Sequence, residues 1–210
     1  MKYYIYISVP KVEMLFPQIP AAFLQGVSTE WKVNLGLVST TLKGAPLKPI
    51  EGLSAQLAAV SNYLHAHGEV GTVESPKQYV SGSLEMKYGV VAEYASDIAF
   101  FGGELGRVRC ALIGSSDSLF GSPQNASANH ASYYYTLKFL NYLADGSPDS
   151  GKEPYFSDSG KPPYATYERA YEIAMKALVG NPARLEFLAK TLHTEENLIV
   201  ATPIFVALDG

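Results

Sequence analysis

Residues 98–113, IAFFGGELGRVRCALI, contain the clearest strand pattern in the sequence. Its apolar ends, Ile98–Phe101 and Arg107–Ile113, flank a glycine-rich break at Gly102–Gly106. Apolar runs separated by such a break are typical of antiparallel strands joined by a turn. Leu84–Val91 precedes them and has the same character. The stretch therefore predicts a central block of antiparallel hairpins.

Further strands and helices are predicted on both sides of this block. Tyr3–Ile7 is apolar on both faces, which predicts a central strand, and the alternation in Trp31–Leu37 predicts a half-buried one. Leu198–Leu208 predicts a last strand, in which Pro203 indicates a bulge or an edge position. Apolar residues at helical spacing predict four helices, over Ile50–Leu64, Ala126–Ala144, Tyr167–Leu178 and Leu185–Leu192. In Lys11–Gln25, two prolines interrupt a helical pattern, which predicts a turn followed by a short helix.

This order of elements predicts an α+β fold. We expect one domain over residues 1–210, with a mixed β-sheet, the central antiparallel hairpin block and helices packed against it. Because chain ends often lie close together, the first and last strands are expected to be neighbours in the centre of the sheet. Residues 146–163 are rich in Gly, Ser, Pro and Asp and are expected to form a mobile loop or lid.

Composition excludes several classes of partner. The net charge is −4 and no run of Lys and Arg exists, which argues against a nucleic-acid partner. No apolar run approaches the roughly 18 residues that a membrane helix needs, so no membrane partner is expected. The single cysteine cannot form an internal disulfide, which fits a reducing compartment. We therefore expect a soluble cytoplasmic protein.

The best candidate for a site is Arg107–His130, RVRCALIGSSDSLFGSPQNASANH. A strand there runs into a loop of small residues, and a helix is predicted next. Backbone N–H groups around Gly114, Ser115 and Ser116 have the setting of an anion cradle at the start of a helix. The loop matches neither a P-loop, a dinucleotide-binding fingerprint nor a nucleophile elbow. The alternative interpretation is a purely structural connection.

The predicted helix that follows carries the other candidate ligand-binding residues. Asn125 and Asn129 are four residues apart and line one face, while His130 lies on the apolar stripe. His130 is a candidate general acid or base, and the alternative is a core histidine. Tyr133 and Tyr134 are candidates for the wall of an apolar pocket, or for core packing.

The remaining reactive side chains favour structural roles. His65 and His67 are two residues apart at a helix end, whereas helical metal ligands need spacings of three or four. His193 is predicted at the end of another helix and is interpreted in the same way. Cys110 is expected to be a core residue, and Arg109 to form a surface ion pair or to hold an anion. No metal or cofactor is predicted.

Three segments resemble a family of actinobacterial proteins with no established activity. They are MKYYIYISVPKVEMLFPQIP at residues 1–20, FFGGELGRVRCALIGSSDSLFG at residues 100–121 and VATPIFVAL at residues 200–208. Together they span nearly the whole chain. The resemblance implies a bacterial, soluble, single-domain protein and carries over no site residue.

Three functions fit these observations. The first is a binding module for an apolar or anionic small molecule or for a protein partner, with its site in Gly114–His130. The alternative is a cofactor-free isomerase, cyclase or hydrolase that uses His130 as acid or base and Ser115 to hold an oxyanion. The second alternative is a structural subunit that forms a homodimer through exposed tyrosines and apolar strand surface.

Overall fold

The computed structural model describes residues 2–24, 52–91, 97–121 and 167–209. The chain divides into two compact units, one of residues 1–8 and 70–210 and the other of residues 9–69. The predicted strand Trp31–Leu37, the predicted helix Ala126–Ala144 and the expected loop at 146–163 lie outside the described residues.

Three helices lie entirely within the described residues. The smaller unit contains α1 (Val9–Leu15), a 3-10 turn (Phe16–Gln18) and α2 (Leu53–Ala66), and the larger unit contains α3 (Tyr167–Ala177). Gly68 and Gly180 follow α2 and α3 with φ of 67° and 112°, a backbone region that favours glycine. The bounds of α2 and α3 confirm the helices predicted over Ile50–Leu64 and Tyr167–Leu178, with ends shifted by up to three residues. None of the described helices is long and apolar enough to cross a membrane.

The larger unit is built on a seven-stranded mixed sheet. Its strands are β1 (Tyr3–Ile7), β2 (Val70–Gly71), β3 (Tyr79–Val90), β4 (Ile98–Leu105), β5 (Val108–Ser115), β6 (Ala183–Glu195) and β7 (Leu198–Leu208). Five of them close into a barrel in the order β3–β4–β5–β7–β6, and β6 pairs back to β3. All pairs within the barrel are antiparallel except β5–β7. This arrangement confirms the α+β class and the mixed sheet.

The β3–β4–β5 block confirms the predicted hairpins, but one turn is shorter than predicted. Strand β4 continues through Gly102 and Gly103, and only Gly106 and Arg107 form the turn. Gly106 has a φ of 60°, so the turn itself requires a glycine there. A Cβ at Gly102 would collide with the side chain of Met175 on α3. Glycine at position 102 therefore provides space for α3. The local sequence does not distinguish this role of glycine from its role in a turn.

Strand β6 shows that the helix predicted over Leu185–Leu192 was wrong. Every second residue, Leu185, Phe187 and Ala189, belongs to the core inside the barrel. Leu188, at an intervening position, is buried as well. Apolar residues on both faces of the strand produced the three- and four-residue spacings of a helix. Strand β6 pairs with β3 along one edge and with β7 along the other. Pairing on both edges therefore overrides the local helical pattern.

Strand β7 has the predicted bounds and is the most widely paired strand. One edge pairs with β5 and then with β1, and the other pairs with β6 over nearly its whole length. The β6–β7 register skips Ile204, beside Pro203, which confirms the predicted bulge. The first and last strands are neighbours as predicted. Strand β1 is not central, however, because it lies at the end of the strand order and exposes 69% of Tyr3.

Alternate residues of the barrel strands pack in two layers. On β5, Cys110 and Leu112 point into the barrel, whereas Ala111 and Ile113 pack under α3 on the outer face. On β4, Phe101 likewise points into the barrel and Phe100 packs on the outer face. This period of two is the pattern from which the strands were predicted.

Candidate functional site

The described part of the predicted site encloses the hydroxyl of Tyr6, a fully buried residue of β1. A Cβ at Gly114 would collide with this hydroxyl. Burial raises the pKa of Tyr6 to about 12, although hydrogen bonds with the side chains of Ser118 and Ser8 and with the backbone of Ser115 act in the opposite direction. The small residues at this position therefore accommodate a large buried aromatic side chain.

Four backbone N–H groups after β5 already have acceptors within the chain. They are Ser116 to Asp97 O at 2.9 Å, Asp117 to Ser115 Oγ at 3.3 Å, Leu119 to Ser116 O at 3.0 Å and Phe120 to Ile5 O at 2.9 Å. An anion cradle needs several convergent N–H groups that are open to the ligand. The described geometry therefore favours the structural interpretation of the Gly114–Gly121 loop.

Ser115 and Ser116 have local structural roles in this loop. The Ser115 hydroxyl accepts the Asp117 N–H and caps the 3-10 turn Ser116–Ser118, and Ser116 is buried. The other predicted site residues, Asn125, Asn129, His130, Tyr133 and Tyr134, lie outside the described residues. The proximity of His130 to Ser115 on which the enzyme hypothesis depends therefore stays a prediction.

Three histidines are described, and each contacts a neighbour in its own chain segment. Nδ1 of His65 lies 2.8 Å from Ser61 O, and Nδ1 of His67 lies 2.9 Å from Tyr63 O, one helical turn earlier. His193 is on strand β6, not at a helix end as predicted, and its Nε2 is 3.1 Å from Glu195 Oε1. The described residues contain no cluster of three or more His, Cys, Asp and Glu side chains suited to a metal ion.

Cys110 is a core residue inside the barrel. Burial raises the pKa of its thiol to about 12, so the thiol is protonated near neutral pH. A nucleophilic cysteine requires the thiolate form, which Cys110 does not provide. The prediction of a core cysteine is confirmed.

Arg109 forms the predicted surface ion pair, with a second acid that the sequence did not indicate. Its guanidinium lies 3.6 Å from Glu104 and 3.5 Å from Glu172 on α3, over the ring of Tyr171. The Tyr171 hydroxyl donates to Gly103 O at 3.1 Å, and burial, followed by the charge of Glu104, raises the pKa of Tyr171. The cluster connects α3 to the β4–β5 hairpin, and the two carboxylates balance the positive charge of Arg109.

A polar cluster that the sequence did not indicate surrounds the carboxylate of Asp209. Arg184 Nε lies 3.1 Å from Asp209 Oδ2 and 3.2 Å from Ser83 Oγ, and Ser83 donates a hydrogen bond to Asp209. These bonds, that of Ser83 first, lower the pKa of Asp209. A carboxylate with a lowered pKa is a poor proton acceptor, so the cluster joins β3, β6 and the residue after β7 rather than activating Ser83. No local signal identifies it, because Ser83 and Asp209 are 126 residues apart.

Three exposed apolar residues occupy neighbouring backbone positions where β1 begins and β7 ends. Tyr3 is 69% exposed and pairs across the strands with Leu208, which is 38% exposed. Phe120 is 62% exposed, and its N–H donates to the carbonyl of Ile5, two residues from Tyr3 on β1. We call Tyr3, Phe120 and Leu208 the apolar collar.

The apolar collar borders the edge of β1 that faces away from β7. Leu119 pairs antiparallel with Tyr6 on that edge, and Phe120 bonds to Ile5. Within the described part of the chain, no backbone group pairs with residues 2–4 on the same edge. The collar thus combines exposed apolar area with a stretch of strand edge that lacks a described partner.

Comparison with known proteins identifies a family but no characterised relative. No curated protein and no solved structure matches the chain. Residues 2–210 match a family of unknown function, DUF7019, in agreement with the resemblance to a family without an established activity. Because this match covers almost the whole sequence, the chain belongs to the DUF7019 family.

Proposed function

We propose that this chain is a binding module that recognises another polypeptide through the apolar collar, without catalysing a reaction. The observation that carries the proposal is the grouping of three exposed apolar side chains beside an edge of β1. Contiguous exposed apolar surface and open strand edges are both features of protein interaction sites. The collar includes Phe120, so the proposal keeps part of the predicted site segment and chooses the protein partner among the predicted ligands.

The interior of the barrel is filled with side chains, which favours a binding surface on the outside of the barrel. Phe101, Phe187, Met86 and Leu112 are fully buried and fill the space between the strands. Barrels of about eight strands are only just wide enough for a small ligand inside, and this barrel has five. A ligand enclosed in the barrel would require these side chains to leave the core.

The described reactive groups support binding over catalysis. The Cys110 thiol is buried and protonated, and the Ser115 hydroxyl caps a turn. The Nδ1 atoms of His65 and His67 contact the carbonyl groups of their own helix. A nucleophile needs an adjacent base held by a third group, and no such set occurs among the described residues.

Photo-crosslinking in the native host tests the proposal. A photoreactive amino acid replaces Phe120 in the full-length chain, and the matched control places it at Val179, which is 95% exposed after α3. We expect adducts with a polypeptide from position 120 at least about tenfold above those from position 179, since burial in a specific interface lengthens contact.

A second substitution links the adduct to the collar. Tyr3→Ser in the photoreactive chain should reduce the adduct from position 120, because an aromatic contact of the collar is lost. Equal adduct yields from positions 120 and 179 would show that the collar binds no polypeptide.

A further inference from the structure

We infer that the polypeptide bound by the apolar collar is a second copy of this chain, whose β1 pairs antiparallel with β1 of the first. The inference rests on the proposed function and names its partner. The two copies would be related by a two-fold axis at Tyr3, which forms an isologous interface.

The edge of β1 already accepts an antiparallel segment. Leu119 and Phe120 run antiparallel to β1 and cover Tyr6 and Ile5, with an N–H to carbonyl distance of 2.9 Å at Phe120. The backbone there is therefore oriented for pairing on the side away from β7. Continuation of the same pairing toward the start of β1 reaches residues 2–4. An incoming strand can add to such an edge through main-chain hydrogen bonds.

The sequence at this edge is complementary to itself. With the axis at Tyr3, the two Tyr3 side chains face each other, and each Lys2 faces Tyr4 of the second copy. Aromatic cross-strand pairs stabilise antiparallel strands, and an ammonium is attracted to the face of a tyrosine ring. This register places no lysine opposite another lysine.

The charge of Lys2 does not prevent the pairing. Edge lysines often keep strands of different molecules apart. Here Lys2 Nζ lies 2.6 Å from Glu186 Oε1, and the side chains are 47% and 36% exposed. The charge is therefore balanced within each chain before two edges meet. Lys2 Nζ also lies 5.2 Å from the centre of the Phe205 ring, which holds it on the outer face of the sheet.

The available area sets the expected strength of the dimer. The exposed parts of Tyr3 and Phe120 from two copies supply about 500 Å² of aromatic surface, given about 200 Å² for each complete side chain. Stable interfaces bury about 1,200 Å² or more in total, so the pairing falls in the weak class. We expect a dissociation constant on the order of micromolar.

Charge exchange at Tyr3 tests the inference with purified full-length protein. Tyr3→Lys and Tyr3→Glu each place like charges at the two-fold axis, and sedimentation velocity then measures the dimer fraction. Each variant alone should dimerise at least about tenfold more weakly than the wild type, and an equal mixture should recover dimer as a heterodimer. Val179→Lys and Val179→Glu are the matched controls and should dimerise like the wild type. Tyr3 is 69% exposed, so these substitutions spare the core.

Two results would overturn the inference. One is a wild-type chain that stays monomeric up to about 100 μM, and the other is a Tyr3→Lys variant that dimerises as strongly as the wild type. The crosslinking experiment separates this inference from the proposed function. Adducts from position 120 to a different polypeptide, together with a monomeric chain, would refute self-association and retain the binding module.

Discussion

Among single residues, small side chains near the ends of β5 and β1 accommodate the buried ring of Tyr6. Gly114 provides the space that the hydroxyl occupies, and Ser118 and Ser8 bond to it. The ring itself packs edge-on against Phe101, with 5.6 Å between the centroids. A loop that resembles a binding loop in composition thus has a demonstrable packing role.

Tyr6→Phe and Gly114→Ala should have non-additive effects on the free energy of unfolding. The first removes the Tyr6 hydroxyl, and the second adds a methyl group beside it. Tyr6→Phe should lower the free energy of unfolding by about 1–2 kcal/mol, because buried polar groups lose a partner. Gly114→Ala should lower it by about 1–3 kcal/mol through overpacking. The double variant should lose less than the two single losses combined, since the phenylalanine gives the new Cβ more room. Urea unfolding of all four proteins measures this, and additive losses would contradict the close contact.

At the scale of elements, α3 is held on the barrel by contacts with glycines. Met175 lies over Gly102 of β4, and a Cβ at Gly89 of β3 would lie 3.2 Å from Leu178. Tyr171 bonds to Gly103, and the Arg109 cluster adds an ionic contact at the surface. The glycines of the hairpin block therefore determine where a helix can approach the sheet.

Gly102→Ala should weaken the packing of α3 against β4. We expect a loss of about 1–3 kcal/mol in the free energy of unfolding, because the new Cβ overlaps Met175 and the Phe100 ring. Met175→Ala in the same chain should restore part of the loss, since the truncated side chain frees the space. Thermal unfolding followed by circular dichroism gives the values.

Gly89→Ala provides the control for this prediction. Its new Cβ would meet only the flexible end of Leu178, at 3.2 Å. Gly89→Ala should therefore lower the free energy of unfolding less than Gly102→Ala does. The reverse order would show that α3 does not rely on the space at Gly102.

At the scale of the whole larger unit, both ends of its chain are joined to the barrel. Strand β1 pairs with the second half of β7, and Lys2 contacts Glu186 of β6. Asp209 contacts Arg184 and Ser83, and its N–H donates to Arg184 O at 3.0 Å. These contacts involve Lys2 and Asp209, the neighbours in sequence of Tyr3 and Leu208, so they hold two of the three residues of the apolar collar on the barrel.

The stability of the Asp209 contacts should depend on pH in the acid range. The folded pKa of Asp209 is lowered, by the Ser83 bond first and by Arg184 next. The contribution is therefore complete above the unfolded pKa of about 3.9 and is lost as the pH falls through the lower folded value. The urea midpoint of the wild type should exceed that of Asp209→Asn at pH 7, and this advantage should shrink as the pH falls from the unfolded pKa through the lower folded pKa.

The exposed position of Asp209 keeps this effect small, since solvent screens the charges. Ser83→Ala should reduce the same pH-dependent difference, because it removes the first of the bonds that hold the carboxylate. An unchanged difference between wild type and Asp209→Asn from pH 7 to pH 3 would contradict the assignment.

Elements with a local hydrophobic pattern could be predicted from the sequence. Strands β1, β4, β5 and β7 and helices α2 and α3 follow from apolar residues at periods of two or near four, and Gly68 and Gly180 mark helix ends. Cys110 as a core residue and Arg109 in an ion pair also follow from the alternation along β5. Burial of one face imposes these periods on each element before any tertiary contact is known.

Features that depend on distant partners required the three-dimensional structure. Strand β6 is a strand because β3 and β7 occupy its two edges, although its own spacing favours a helix. Gly102 is a strand residue because it pairs with Lys87 and Ala111, and Met175, 73 residues later in the numbering, occupies the space that a side chain at position 102 would need. The apolar collar exists because β1 ends the strand order and leaves Tyr3 exposed, where a local pattern predicted a central strand. Pairing and exposure are set by groups far apart in the chain, and hydrophobic periodicity contains no information about which elements become neighbours.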